Sequence, residues 1–322
     1  MRTFLKPSQI KLGKGDKKSD DPRFSSLVHQ WNRQRKTDIV IIGVPFDEGV
    51  RLSGGRIGAA MAPDAIRRQL GRYGTAYNIQ NDTDLSRLSI ADCGNVSTTK
   101  NSGVMHGRVE KVVGDILKRT RTVIVLGGGN DISYASIHSL SRICGGKIGG
   151  ANIDAHFDVR PVVNGKLTSG TPYRRLLEGG DMEGRHFVEI GAQGHVNAKA
   201  HNNFLRKKHA SVVFLSDVRK HGPDRVMKDL FSRTRSCAAL FISIDIDVVA
   251  QAFAPGSSAP SPDGLAAEHV LRFAYLAGKN KNVRIFEIME VNPVYDVDER
   301  TSRLAANLVL EFCTGFATRK EQ

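Results

Sequence analysis

The sequence predicts a parallel α/β protein, and three observations carry that prediction. Short, β-branched apolar runs recur along the chain: DIVIIGVPF (38–46), TVIVLGGG (122–129), KIGGANIDAH (147–156), HFVEIGAQ (186–193), SVVFLSD (211–217), LFISIDID (240–247) and RIFEIMEVN (284–292). Continuous apolar runs, as opposed to alternating ones, belong to strands buried on both faces. Helix-like segments lie between several of them. APDAIRRQL places Pro63 and Asp64 near a helix start, and DGLAAEHVLRFAYLAG offers Asp263 as an N-cap and Gly278 as a stop. VMHGRVEKVVGDILKRT repeats Val and Ile at helical spacing. Strands alternating with helices imply parallel pairing in one sheet covered on both faces. With no internal repeat and no long low-complexity linker, one domain is expected.

Bulk composition agrees with this class. The 322 residues are 40 % apolar and 25 % charged, ordinary globular values that exclude wholesale disorder. The longest apolar runs, such as ALFISI, have the length of a strand and fall far short of a membrane span. No secretory signal is read at the start, and Cys93, Cys144, Cys237 and Cys313 are far apart with no C-x-x-C pair. A reducing compartment, the cytoplasm, is the expected location. The net charge of +14 points towards nucleic acid, but half of it, +7, sits in residues 1–36. KLGKGDKKSDD there reads as a solvated arm or loop, and elsewhere basic residues are spread with no aromatic-rich RNA-binding signature. The expected division is a basic segment, 1–36, and a folded α/β domain, 37–322, with neither nucleic acid nor membrane as partner.

In doubly wound sheets ligands gather at the carboxyl ends of the strands, and the unusual residues fall there. TVIVL runs into GGGND, with Asn130 and Asp131 just past the glycines; NI runs into Asp154, His156 and Asp158. LFIS runs into Asp245 and Asp247, and IFEIM ends at Glu290. Residues two apart on an extended segment share a face, so Asp154, His156 and Asp158 can converge, as can Asp245 and Asp247. Carboxylates packed this closely without cations repel, and some must take up protons. Divalent ions remove that cost. A set rich in carboxylates, with few histidines and no cysteine, favours ions such as Mn²⁺ or Mg²⁺ over structural zinc. A lone D-x-D is most often a turn. D-A-H-x-D straight after a buried strand, joined by I-D-I-D about ninety residues later, is far more specific.

GGGND, NIDAHFD, SIDIDV and EIMEVNP, in that order, resemble the ureohydrolase superfamily, which includes arginase, agmatinase and formiminoglutamase; the resemblance spans most of residues 38–316. It implies a single three-layer α/β/α domain of arginase-like fold, with a mostly parallel eight-stranded sheet and two Mn²⁺ ions at the strand ends. Carried onto this chain, Asp154 and Asp245 bridge both ions, Asp158 and Asn130 complete one site, and His156 and Asp247 complete the other. The family usually has His where this chain has Asn130. An amide oxygen is a legitimate but neutral ligand, so the ion it helps to hold is expected to bind more weakly.

Past the D-A-H-F-D run, arginases carry a G-N-L-H-G-like segment. This chain instead reads VRPVVNGKLTSGTPYRRLLE, which, like GVPFDEGVRLSGGRIGA upstream, is similar to formiminoglutamase. N-Formimino-L-glutamate presents two carboxylates, arginine one and agmatine none, and guanidinium groups bind carboxylates in a forked, charge-assisted way. Arg160, two residues past Asp158, and Arg174, after the SGTPY loop, are candidates for the amino acid end of such a substrate. His195, after HFVEIGAQ, is a further candidate contact. The plainer alternatives are surface salt bridges for the arginines and a loop or capping role for His195. The resemblance implies cleavage of the formimino C–N bond to glutamate and formamide, as in histidine degradation. Glu290 would accept hydrogen bonds from the amidine nitrogens, and Asp158 would pass a proton to the departing amine. Competing readings are an agmatinase or arginase-type guanidino hydrolase, and a catalytically silent protein of this fold, favoured only by Asn130. His138 reads as a helix-face residue, and residues 53–67 as a loop closing over the sheet. Because the family often forms oligomers, a homo-oligomer is an open expectation.

Overall fold

The structure, a computed structural model, describes residues 4–13 and 20–319; residues 14–19 of the basic segment lie outside the described residues. The chain begins with β1 (Leu5–Lys6), α1 (Phe24–Leu27), β2 (Val28–Gln30), β3 (Thr37–Gly43), α2 (Glu48–Leu52) and α3 (Ala62–Arg72). It continues through β4 (Tyr77–Asn78), β5 (Thr83–Asp84), β6 (Ile90–Val96), α4 (Ser102–Leu117), β7 (Thr120–Leu126), α5 (Ile132–Cys144) and β8 (Ile148–Ile153). The remainder is α6 (Pro172–Glu178), β9 (Phe187–Ala192), α7 (Lys199–Lys207), β10 (Ser211–Phe214), α8 (Leu215–Arg233), β11 (Ala239–Asp245), α9 (Ala267–Lys279), β12 (Val283–Met289) and α10 (Arg300–Ala317).

Ten strands form one sheet in the order β1-β6-β3-β7-β12-β11-β8-β9-β10, with β2 also paired to β6. All its pairings are parallel except β1 with β6. The run from β6 to β10 supplies the eight strands that the family resemblance implies. The two additional strands come from the basic N-terminal segment and share the outer edge of β6, with β2 beside Ile90–Asp92 and β1 beside Asn95–Val96. An edge strand offers a row of unpaired backbone groups, and this segment covers them while burying Phe24 and Val28 in the core.

Because the sheet is covered on both faces, successive strand residues alternate between two apolar layers. Ile39, Ile41, Ile124, Leu126, Ile242, Ile244 and Ile288 belong to the layer built with α3, α8, α9 and α10. Val40, Ile42, Val123, Val125 and Phe241 belong to the layer built with α4, α5 and α6. Each such burial stabilises the fold by ~1.5–3 kcal/mol, which is why the strands read as unbroken apolar runs. Local signals set several helix ends: Asn101 caps α4 by accepting from Val104 N at 3.0 Å, and Gly145 closes α5 in the left-handed region. Asp263 does not cap α9. Leu265 N is tied to Val248 O at 2.8 Å, so the helix starts only at Ala267, and Asp263 instead accepts from Arg219 Nη1 at 3.1 Å. All four cysteines are free thiols. No helix among the described residues is long and apolar enough to cross a membrane.

One polar junction inside this frame is built on a fully buried arginine. Arg67 of α3 forks onto Asp92 of β6 through Nε (2.8 Å) and Nη2 (2.9 Å), and also donates to Asn95 Oδ1 and Gly94 O, at 2.8 Å each. Removing one side of a buried ion pair strands the other, at a cost of ~3–5 kcal/mol. Arg67→Met is therefore expected to lower the urea midpoint clearly; an unchanged midpoint would mean the fork contributes nothing net.

Candidate metal centre

Four neighbouring strands in the middle of the sheet, β7-β12-β11-β8, end at one crevice. Asn130 follows β7, Glu290 follows β12, Asp245 closes β11 with Asp247 just beyond, and Asp154, His156 and Asp158 follow β8. The glycines after β7 let the turn pass close to its neighbours: a Cβ on Gly128 would lie 1.9 Å from Phe46 O. The turn stays hydrogen-bonded to β12 through Gly127 N to Ile288 O (2.9 Å) and Glu290 N to Gly128 O (2.8 Å). Asp158 (φ 46°) and Glu290 (φ 62°) both hold left-handed backbone. Strain of this kind, ~1–3 kcal/mol per residue, persists where surrounding structure over-determines it and clusters at functional sites.

Asp154 is common to two groups of ligand-competent atoms. With Asp158 and Asp245 it forms one, and with His156 and Asp247 the other; within each, the ligand atoms lie within 4.8 Å of one another. His156 Nδ1 is 3.1 Å from Asp247 Oδ2 and 3.4 Å from Asp154 Oδ1. Asn130 Nδ2 donates to Asp158 Oδ2 at 2.7 Å and lies 3.5 Å from Asp154 Oδ2, while Asn130 Oδ1 accepts from Ser133 Oγ at 2.8 Å. A half-turn of that amide presents its oxygen to the carboxylate side and its NH₂ to Ser133, whose hydroxyl can accept as well as donate.

Burial pushes the carboxyls of Asp154, Asp245 and Glu290 well above the usual range, with neighbouring carboxylates adding to the effect. Burial also raises Asp158 to about 6, against the opposing pull of His156. His156 is shifted upward, chiefly by the Asp247 carboxylate. Without bound ions, the cluster thus shares protons and uses the imidazolium as its cation. Two buried oxygens, Asp247 Oδ1 and Glu290 Oε2, have no hydrogen-bond partner. A carboxylate-rich donor set with unpartnered buried oxygens fits hard divalent cations.

Residues 37–315 match the profile of the arginase family. The chain belongs to the arginase family. Among its relatives, the formimidoylglutamase of Halalkalibacterium halodurans is 32 % identical over 293 residues, 90 % of each chain. The crystal structure of Trypanosoma cruzi formiminoglutamase with Mn²⁺ is 37 % identical, with a TM-score of 0.89 over 94 % of this chain and 100 % of that one. The structure of Bacillus subtilis formimidoylglutamase is 28 % identical, with a TM-score of 0.89 over 99 % of this chain and 98 % of that one. These likenesses agree with the arginase-like α/β fold and with its closest branch as read from the sequence.

In this arginase-family frame the other sequence candidates separate. Arg160 is exposed close to Asp158, whose carboxyl it helps to hold down, and among the described residues no carboxylate forms an ion pair with it. Arg174 is engaged, with Nε on Glu178 Oε1 at 2.9 Å and its guanidinium 4.3 Å from the Phe204 ring centre. His195 is exposed on the loop after β9. His138 sits on α5 with Nδ1 2.6 Å from Asp181 Oδ1, a helix-face role. The stretch after α2 is tied to the loops beyond β11 and β12: Arg56 Nη2 donates to Ser257 O at 2.6 Å, and Asn292 Nδ2 donates to Arg56 O at 3.0 Å.

Two supporting residues escaped the sequence reading. Asn152 Nδ2 donates to Asp154 Oδ2 at 3.0 Å; strand alternation, two residues before Asp154, was the available signal. Asn197 brackets His156, accepting from Phe157 N and donating to Ala155 O and Gln193 O, all at 2.8 Å. Nothing in the sequence marks that residue.

The sign of the pH dependence follows from Asp158. Its folded value, about 6, exceeds the ~3.9 of an unfolded aspartate, so between these values the ion-free folded protein binds the extra proton and loses stability as pH rises. Divalent ions compete with those protons. The rise in Tm on adding Mn²⁺ to chelator-treated protein is expected to be larger at pH 8 than near pH 5; a pH-independent rise would refute proton competition at this cluster.

Proposed function

We propose that this arginase-family enzyme hydrolyses N-formimino-L-glutamate to L-glutamate and formamide, using two Mn²⁺ ions. The observation that carries the substrate reading is the free guanidinium of Arg160 beside the carboxylate cluster. It supplies a positive charge that a dicarboxylate substrate can use and agmatine cannot. The formiminoglutamase relatives, matched over nearly the whole chain, support the same reading.

Asp154 and Asp245 would be shared between the ions, with Asp158 and Asn130 completing one site and His156 and Asp247 the other. A bound pair of divalent ions lowers the pKa of water, so that hydroxide is available at neutral pH to attack the formimino carbon. The protein's own groups do the rest. Glu290, held by Asn130 N at 2.8 Å through Oε1, leaves its buried Oε2 to accept from the amidine nitrogens. Asp158, itself one of those ligands, would pass a proton to the departing glutamate nitrogen as the C–N bond breaks. Arg160 orients the amino acid end.

Formamide and glutamate release from N-formimino-L-glutamate, in Mn²⁺ and in chelator, tests the reaction. Turnover that needs Mn²⁺ is expected, with no urea from arginine or agmatine; urea from agmatine would overturn the substrate. Arg160→Ala should raise KM by about 10–100-fold, the worth of a charged hydrogen bond of ~1.5–3 kcal/mol, with a smaller change in kcat. Near-normal turnover in Asp158→Asn would remove the proton-transfer role.

A further inference from the structure

Behind the glycine turn lies a chain of polar groups that the reaction does not itself use. Asp131 follows Asn130 and is fully buried. Its Oδ2 lies 2.8 Å from Nε2 of His106, a buried residue of α4. The other ring nitrogen, Nδ1, lies 3.1 Å from Arg175 Nη1 on α6. Arg175 in turn stacks on Tyr134 of α5 with its guanidinium carbon 3.3 Å from the ring centre.

The protons in this chain are decided by chemistry. A guanidinium only donates, so Nδ1 of His106 must accept, and the ring hydrogen sits on Nε2, where it is given to Asp131. A neutral imidazole thus joins a buried carboxylate to an arginine that stays on the half-buried side of the helices. Asp131 Oδ1 has no partner and points at α2, where a Cβ on Gly49 would lie 2.1 Å from it. The same Oδ1 would lie 2.9 Å from a Cβ on Gly129, and Glu290 Oε1 3.5 Å from that point. The turn is therefore held from behind by Asp131 and carries on its front both the Asn130 side chain and the backbone N–H that fixes Glu290.

We propose that Asp131, His106 and Arg175 are positioning residues which hold the turn so that Asn130 serves as a metal ligand and Glu290 faces the amidine. The inference rests on the roles given above to Asn130 and Glu290. An amide is a weaker donor than imidazole and brings no charge, so its contribution depends on being held in place. A loose turn would cost the Asn130 ion site first and Glu290 with it, leaving the Asp154, His156 and Asp247 side of the cluster intact.

Mn²⁺ titration of chelator-treated protein by calorimetry, which needs no substrate, tests this alongside kcat and KM. In His106→Ala the weaker Mn²⁺ site should lose about 10–100-fold in affinity, the usual consequence of removing an outer partner of a metal site, while the tighter site is unchanged and kcat falls. His106→Gln, which keeps a donor near the Nε2 position, should recover most of the loss. Arg175→Met, made at the less buried end, should show the same selective weakening to a smaller degree and serves if His106→Ala does not fold. Two changes in equal measure at both sites, or a loss in His106→Gln as large as in His106→Ala, would mean bulk packing alone and would overturn the proposal. An unchanged isotherm in folded His106→Ala overturns it too. Wild-type protein that binds no Mn²⁺ would overturn the metal reading and, with it, the positioning role.

Discussion

Mutual repulsion among buried carboxylates is the constraint on which the rest of this molecule depends. Asp154, Asp158, Asp245, Asp247 and Glu290 converge where little water can screen them. At such separations unit charges interact strongly even at an effective dielectric well above that of a dry interior. The chain answers with what it has, shared protons and the His156 imidazolium between two carboxylates. Divalent cations answer it better, and a set of anions held in place in advance has no ordering cost left to meet when they arrive.

Holding anions together needs a stiff support, and the parallel sheet is that support. The four central strands carry the cluster at their ends, and the tier below it is also polar. Glu189, Asn152, Ser243 and Glu287 sit side by side in register across β9, β8, β11 and β12. Burial lifts Glu287 to about 7 and Glu189 well above the usual range, which favours their neutral form beneath an already anionic layer. Below that tier the face turns apolar, with Tyr173 stacked on Phe187 and Phe241 at 5.1 and 6.4 Å. From the core outward, one face of the sheet therefore passes from aromatic to neutral polar to anionic.

Positive charge stands next to this anionic cluster. Arg160 stands free beside Asp158, and burial together with Arg160 and Arg174 holds the His201 imidazole below its ordinary range. The anionic cluster and the neighbouring Arg160 guanidinium thus present opposite charges side by side. Arg174 illustrates the limit of composition as a guide. Its neighbour sequence suggested a substrate contact, yet Glu178 and Phe204 already occupy its guanidinium.

The sequence by itself determined the fold class, because strands covered on both faces must be apolar throughout and helices between them force parallel pairing. It also determined the metal-competent set, since alternation along an extended segment puts Asp154, His156 and Asp158 within reach of one another. Contacts between distant parts of the chain were beyond it. That β12 and β11 lie between β7 and β8, bringing Glu290 beside Asn130 from 160 positions further along the chain, is a property of sheet order. So is the seating of β1 and β2, either side of the charged stretch 11–21, along the edge of β6, with Phe24 and Val28 entering the core. Asn197 around His156, and His106 between Asp131 and Arg175, carry no periodic or motif signal, because a hydrogen bond is specified by position in space and their partners come from separate elements. Local chemistry is written in neighbouring residues; its support comes from wherever the packed helices and strands deliver a donor or an acceptor.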